Sequence, residues 1–486
     1  MRWMNGRARL VTVALAVIAA VVAGGCSGGG GGGSGDKAGG SGEPVVLRMA
    51  NAYGDLQTAR VIGHFVSQVK ERSGGNLRVQ VASTWGDFAD DAEQQVVRAV
   101  AAGKVDLGWA GARVFDTIGV TSFQALQAPM LIDSYALEQA VVASDMPGQM
   151  LQSLDKVGVR GLGVLADGLR KPIAVKHPVL GVGDWRGITF GTLKSQGQAQ
   201  AIRSLGATPM EVFRRSRNEA LLDGRLQGLE MDLFVYEHGA LAHPAPYVTA
   251  NVTLWPQMDV LFANPNRLAR LTEQQRGWLQ QAVQDTGRMA ALADRDAQSL
   301  KNACRSGARF ANASPADLAA LRKAFAPVDA SLERDAQTKA FIERIQALKR
   351  STAAEAPLAI PAGCTGKASE QPAASAGTVP ADLNGVYRYT ITKKDAIAAG
   401  AGDDPDYPTT NTVWLEDDGS FRASGGLRGT YSVTGDRITF DVPDFGYSLT
   451  FTLSVDGMGN LHLTPVQPMD HGDAVLWSTK TWIKIG

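Results

Sequence analysis

The stretch DWRGITFGTLKSQGQAQAIRSLGATPMEVF, residues 184–213, decides the fold. WRGITFGT (185–192) alternates apolar with polar or small residues and reads as a strand, Gln196 to about Leu205 carries a helical stripe, and Met210–Phe213 returns to a short apolar strand. Strand, helix and strand in such close succession form a parallel crossover unit. Within the first strand Gly191 stands where a side chain is usual, leaving the backbone open to close approach by a ligand or a neighbouring group.

Working outward, the same alternation recurs. A helix is expected around Glu219–Leu226 and a strand at GLEMD (228–232), while VRGLGVLA (159–166) precedes the unit as a strand that GLRKPIAV prolongs. Nearer the N-terminus, VVLRMA (45–50), LRVQVA (77–82) and VDLGWA (105–110) read as strands. They are separated by helical stripes at Ala59, Ile62, Phe65, Val66 and Val69 and at Val96, Val97, Val100 and Ala101. Two α/β lobes with mostly parallel sheets follow, and the segments YVTANVTLW and MDVLFAN lead the chain back between them. Thr272 with Gln275, and Ser314-Pro315 with Asp317, start long helices expected to brace both lobes; the first has Leu279, Ala282, Val283, Ala290 and Ala293 on its inner stripe. Residues 45–351 are therefore expected as a two-lobed α/β domain. The stretch 352–380, rich in Ala, Pro, Ser, Thr and Gly, reads as a linker. Residues 381–486 change texture to eight short strand patterns separated by turn signals such as Asp418-Gly419 and Thr434-Gly435-Asp436, which suits a small all-β barrel or sandwich.

The first 25 residues read as an export signal: Arg2, Arg7 and Arg9 precede the apolar run Leu10–Val22, and Ala23-Gly24-Gly25-Cys26 resembles a bacterial lipobox with Cys26 as the lipidated residue. Residues 26–44 are a Gly/Ser tether, giving a chain held by lipid on the extracytoplasmic face of the membrane. Cys304 and Cys364 remain as a pair, for which an oxidising compartment makes a disulfide the default and two unpaired thiols the alternative.

Forty-eight basic residues balance forty-eight acidic ones, and no basic block follows the leader, so a nucleic-acid partner is not expected. Catalytic and cofactor signatures fail as well. The GxGxxA spacing at Gly161, Gly163 and Ala166 lies inside a strand, and P-loop, HExxH and GxSxG motifs are absent. His238 and His243 are five apart and do not share a helix face, so they read as surface or capping residues; Asp403, Asp404 and Asp406 read as a solvated acidic loop. Neither a metal nor a cofactor is expected.

Three segments together carry a family resemblance: QTARVIGHFVSQVKERSGGNLRVQV, RAVAAGKVDLGWAGAR, and the opening stretch followed by EALLDGRLQGLEM. In order and spacing they resemble the solute-binding subunit of tripartite ATP-independent periplasmic (TRAP) transporters of the dicarboxylate-binding type, over about residues 45–350. The resemblance implies a non-enzymatic, periplasmic-binding-protein-like domain that closes on a small organic acid and delivers it to integral-membrane TRAP permease subunits. The C-terminal β domain lies outside it and looks only loosely lipocalin-like.

In that family an arginine on the central strand grips the ligand carboxylate through paired hydrogen bonds. The resemblance puts that position at Gly191, and Arg186, five residues back, lies on the other face of the strand roughly 16 Å away. Arg170 and Arg113 match two further ligand-facing arginines. Their competing roles are a cap on the sheet edge for Arg170 and a solvated loop charge for Arg113. The family's ligand-contacting Asn corresponds to Met231, with Glu230 retained before it. Tyr53, Trp85 and Tyr236 fall near cleft-facing loops or strand ends and are candidates to stack on a ligand, against the commoner role of core aromatics. The competing functional reading is a sensory or envelope-interaction lipoprotein that works without a transporter.

Overall fold

The computed structural model describes residues 43–485 apart from short stretches at 54–55, 57–58, 239–240, 243, 289–291, 368–382, 400–408, 424–426, 443–446, 468 and 470. The leader, the tether and Cys26 lie outside the described residues, as do His243, Asp403, Asp404 and Asp406, and nothing is described of the Ala290 and Ala293 side chains.

The first lobe is built from β1 (Val45–Ala50), α1 (Arg60–Arg72), β2 (Leu77–Ala82), α2 (Ala92–Ala101) and β3 (Leu107–Gly111), with β1 parallel to both β2 and β3. Two short helices follow, α3 (Tyr135–Ala143) and α4 (Met146–Leu151), before the chain enters β4 (Arg160–Ala174), a strand of 15 residues buried from Gly163 onward. The second lobe comprises α5 (Val182–Trp185), β5 (Thr189–Thr192), α6 (Gln196–Ser204), β6 (Thr208–Glu211), α7 (Arg214–Leu222) and β7 (Gly228–Met231), with β5 parallel to β6 and β7. Its helix α7 starts earlier than the expected Glu219, because Phe213 and Ser216 form a backbone-to-hydroxyl cap around Arg214.

The chain then returns through α8 (Leu233–His238), β8 (Tyr247–Thr249) and β9 (Trp255–Ala263). β9 runs antiparallel to β3 on one side and to β4 on the other, while the last residues of β4 pair with β7 and β8. The sheets are thus parallel within each lobe and antiparallel where β4 and β9 cross. A long strand shared by both sheets is a natural hinge, because a small change of twist along it swings whole lobes.

The remaining elements of this domain are α9 (Pro265–Ala269), α10 (Glu273–Gly287), α11 (Leu292–Arg305), β10 (Arg309–Ala311), α12 (Pro315–Leu332) and α13 (Ala336–Ser351). The expected caps at Thr272–Gln275 and Ser314–Asp317 are formed. Leu279 and Ala282 of α10 and Phe341, Ile342 and Ile345 of α13 enter first-lobe cores, whereas Leu300 and Ala303 of α11 and Leu321 and Phe325 of α12 enter second-lobe cores. The helices therefore brace both lobes. Cys304 and Cys364 are joined with 5.5 Å between their Cα atoms, and Leu358 and Ile360 pack on the second-lobe core beside them. The start of the expected linker is consequently pinned to this lobe.

The C-terminal sheet contains β11 (Gly385–Ile391), β12 (Thr409–Leu415), β13 (Ser420–Ala423), β14 (Arg428–Thr434), β15 (Arg437–Val442), β16 (Tyr447–Val455), β17 (Leu461–Pro465) and β18 (Ile483–Lys484), with α14 (Lys393–Ala398) and α15 (His471–Ser478) between strands. All pairings are antiparallel, neighbour to neighbour, and β18 pairs with β11. A bridge between Leu461 and Trp482, with both hydrogen bonds at 2.9 Å, joins the two ends of the sheet into a barrel. Its interior is filled by side chains: Tyr387, Phe421, Phe440, Phe451 and Trp482 are buried, and Trp477 of α15 inserts 4.8 Å from the Phe440 ring. A barrel of this size has room only for such a filling or for one small ligand, and here the rings take the space.

Candidate functional site

Where β4 and β9 cross between the lobes, a cleft of about 890 Å³, its open mouth included, is lined from both sides. The first lobe and the crossing strands contribute Tyr53, Trp109, Asp167, Arg170, Gln257 and Asp259; the second lobe contributes Gly191, Thr192, Phe213, Arg214, Arg217, Glu230, Met231 and Asp232.

Arg170 is the best-anchored cation. It is 6% exposed, its Nε meets the Glu230 carboxylate, its Nη2 donates to the Glu230 carbonyl at 3.0 Å and its Nη1 donates to Gln257 Oε1 at 3.3 Å. Burial pulls this guanidinium down, but the Glu230 carboxylate outweighs it and the net shift is upward. The group is held charged at the floor of the cleft with Asp232 3.8 Å away. Arg214 and Arg217, at i and i+3 on the first turn of α7, bring two more guanidiniums to the second-lobe wall. Arg214 donates to the Tyr53 carbonyl at 2.5 Å and lies over the Phe88 ring. Burial, followed by the like charges of Arg214 and Arg170, pulls Arg217 down, so an anion arriving beside it relieves repulsion.

At Gly191 the structure shows what replaced the side chain. A Cβ there would sit 3.1 Å from Leu226 and 3.2 Å from Val212, so apolar side chains crowd the space next to the backbone. The glycine lines the cleft, but the direction in which a side chain would leave it points into this wall.

Of the other expected positions, Tyr53 lines the cleft, stacked on Trp109 at 4.9 Å, and Glu230 and Met231 face it from β7. Arg113 does not reach the lining. Its guanidinium occupies the space beside Gly111, where a Cβ would lie 1.7 Å from Nη1; it pairs with the Glu93 carboxylate and donates to Tyr53 Oη at 3.1 Å. It is neither a solvated loop charge nor a ligand-facing one, but a buried support behind Tyr53. Tyr236 is fully buried in the second-lobe core with its hydroxyl donating to the Ala245 carbonyl at 2.9 Å, and Trp85 packs half-buried against the first-lobe core outside the lining. Both are removed from the stacking set. His238, expected at the surface or a cap, lies at the cleft rim with Nδ1 2.9 Å from the Phe234 carbonyl.

The residues missed at first carry most of the polar chemistry. Arg214 and Arg217 were visible as the basic run RRSR after a strand, and Asp259 as a charge inside WPQMDVLFA, a strand buried along its whole length. Asp167 had no signal, because it enters the cleft through a register shift between Ala166 and Gly168 opposite β9.

Contacts between the lobes keep the cleft shut. Asp116 of the first lobe caps α6 of the second, accepting from Ser195 Oγ at 2.6 Å, from Gln196 N at 3.1 Å and from Gly197 N at 2.9 Å. Asp90, before α2, accepts from Phe213 N at 3.0 Å and from Ser216 Oγ at 2.5 Å. Each is a charge-assisted contact to a helix start, favoured by the helix dipole.

Two α/β lobes closed over a charged cleft at crossing strands give the architecture of a solute-binding protein. Residues 49–335 match the bacterial extracellular solute-binding proteins, family 7, and the chain belongs to that family. It is similar to uncharacterized protein YiiZ of Salmonella typhimurium, 25% identical over 245 residues that cover 49% of this chain and 72% of YiiZ. Among solved structures it resembles the sugar-acid-binding protein DctPAm of Advenella mimigardefordensis in complex with galactonate, at 19% identity and a TM-score of 0.57, covering 64% of this chain and 99% of that one. A TRAP periplasmic solute-binding protein of Roseobacter denitrificans with bound β-D-glucuronate aligns at 18% identity and a TM-score of 0.56, covering 62% and 99%. One from Polaromonas with D-erythronate aligns at 18% and 0.56, covering 64% and 99%. The fold of the two lobes is thus that of TRAP periplasmic solute-binding proteins.

Proposed function

We propose that this chain is an extracytoplasmic receptor, anchored by lipid at Cys26, that captures a small organic acid by lobe closure and delivers it to a TRAP-type membrane permease. The observation carrying this reading is the set of guanidiniums of Arg170, Arg214 and Arg217 converging on one interlobe cleft. A carboxylate entering between them meets planar donors in a partly desolvated space, where charge-assisted hydrogen bonds are strong. The solutes in the neighbouring structures, galactonate, glucuronate and erythronate, are all hydroxylated carboxylates. Because the ligand touches both lobes, its affinity is greater for the closed state, and closure is what a permease reads. The additional barrel, outside the family match at 49–335, supports a second reading in which the lipoprotein serves as a sensor or envelope contact without a permease.

A thermal-shift screen over organic acids, amino acids, sugars and polyols tests the solute reading, since a ligand of the folded state raises Tm. Arg170→Ala is expected to weaken the best hit by about tenfold to a hundredfold, the worth of a charge-assisted hydrogen bond. Unchanged affinity would remove Arg170 from the anchor, and a screen with no hit would remove the receptor reading. Co-purification with a two-component permease separates delivery from sensing.

A further inference from the structure

The disulfide closes a ring of chain that visits both lobes. From Cys304 on α11 the chain passes through α12, which enters a second-lobe core, and α13, which enters a first-lobe core, before it returns to Cys364 in the second lobe. Residues 352–364 are the return leg. They form no helix or strand before the short turn at Ala362–Cys364, and residues 353–357 are exposed.

Both ends of this leg are pinned. On the first-lobe side, Lys349 at the end of α13 donates to the Leu131 carbonyl at 2.8 Å and pairs with Asp133 at 2.7 Å. Glu355 Oε1 then accepts from Ala136 N at 2.6 Å, in the first turn of α3, whose Tyr135, Leu137 and Val141 lie in a first-lobe core. On the second-lobe side, Leu358 and Ile360 pack on the core, and the disulfide follows. Only Ala356 and Pro357 separate Glu355 from Leu358. An extended chain spans at most about 3.6 Å per residue, so the Cα atoms of these two pins can part by no more than about 11 Å. Pro357 has its φ fixed, which removes part of the remaining slack.

This leg lies behind the hinge. Successive residues of a strand face opposite sides, so with Arg170 in the cleft, Lys171 of β4 points to the reverse face. Burial pulls the Lys171 ammonium down, and the carboxylates of Asp296, Glu355 and Asp133 offset part of that cost, which places Glu355 of the return leg near the reverse side of the crossing strand. Tyr135 Oη of α3 donates to Asp296 Oδ1 of α11 at 2.8 Å, a second tie between the lobes beside Lys171. We infer that residues 352–364 are a strap that limits the lobe angle, holding the solute-free chain to a narrow range about the closed arrangement. Rotation of the lobes about β4 and β9 moves their backs relative to one another, and a short tie there restricts that movement. A solute then meets a chain already near its binding arrangement and spends less of its affinity on ordering it. The inference rests on the fold alone and goes beyond the solute reading.

The test is pulsed electron spin resonance on the full chain without solute, with spin labels attached through a keto amino acid at Gln80 of the first lobe and Glu219 of the second, both exposed. Two variants release the strap in different ways. Cys304→Ser with Cys364→Ser removes its covalent pin, while insertion of about six Gly/Ser residues between Ala356 and Pro357 keeps every pin and adds about 20 Å of reach. In both variants the spread of label distances is expected to widen by about 5 Å or more, a fraction of that added reach. An unchanged spread in the insertion variant overturns the strap as a limiter, whatever the cysteine variant does, because the insertion leaves the disulfide and the cores intact. A spread that widens with the insertion but not with the cysteine variant overturns the part assigned to the disulfide. Because no solute enters the measurement, neither result bears on which solute the cleft takes.

Discussion

The interlobe cleft and the interior of the C-terminal barrel are both enclosed by strands, yet they are finished in opposite ways. In the cleft wall Trp109, Glu230 and Asp259 each leave a buried polar atom without a partner, and guanidiniums and carboxylates line the same space. In the barrel, among the described residues, no buried side-chain polar atom is left unsatisfied: Trp482 Nε1 donates to the Trp477 carbonyl, Tyr387 Oη to the Leu383 carbonyl and Tyr431 Oη to the Glu416 carbonyl. The cleft keeps hydrogen-bonding capacity that a ligand can use, whereas the barrel interior is held together by packing. The barrel is therefore a filled structural unit, and any partner it has meets its outer surface.

The comparison breaks most visibly through Phe440. This ring is fully buried and contacts Phe421, Phe451 and Trp477. Phe440→Ala is expected to cost about 3 to 5 kcal/mol of barrel stability, from lost transfer energy plus a cavity, while solute affinity is unchanged. Chemical denaturation followed by tryptophan fluorescence and calorimetric titration read the two separately. A parallel loss of affinity would mean that the barrel takes part in the site.

Much of this division was legible before any coordinates. The alternating strands and helical stripes placed β1 to β4 and β7 closely, because each lobe buries its pattern at the ordinary period. Of the strand expected at 185–192, however, only Thr189–Thr192 forms, with Val182–Trp185 helical before it, and β6 lies two residues earlier than expected. The barrel's eight strands were legible through turn residues; Gly419 and Gly435 take positive φ, as those turns require. The closing bridge between Leu461 and Trp482 was not, since pairing across twenty residues leaves no local trace. At the site, Arg170 is picked out by the family resemblance, which matches it to a ligand-facing arginine, and not by any local pattern. Tyr236 and Trp85 were misplaced because an aromatic residue near a strand end looks the same whether it faces a cleft or a core. The surroundings of Gly191 depended on Leu226 and Val212, which adjacent segments bring in only after folding.

A smaller effect sharpens the cleft side of the contrast. Gly191→Arg restores the residue type that the family resemblance assigns there, but its Cβ would press on Leu226 at 3.1 Å and Val212 at 3.2 Å. The expected result is a loss of about 1 to 3 kcal/mol from overpacking, with no gain in affinity for any simple carboxylate. A gain would show that the apolar wall yields and that the usual anchor still fits; equilibrium unfolding and titration on the same sample decide it.

The smallest expected effect concerns the cost of burying the Asp259 carboxylate. Asp259 is faced by Asp167 on β4, Glu93 on α2, and Gln257 beside it, with Arg113 as the nearby cation, and its carboxyl is raised by burial first and by Asp167 next. A raised carboxyl binds its proton more tightly folded than unfolded. Its contribution to stability is thus fully present below the unfolded pKa of about 3.9 and is lost as pH rises toward the folded value. In Asp259→Asn that loss disappears, so without solute the variant is expected to melt about 2 °C above the parent at neutral pH and to keep no such advantage near pH 4. Scanning calorimetry across that range reads the difference directly. A gain independent of pH would mean that folding leaves the Asp259 carboxyl unshifted, and the variant's advantage would come from packing or hydrogen bonding rather than from relief of a buried charge.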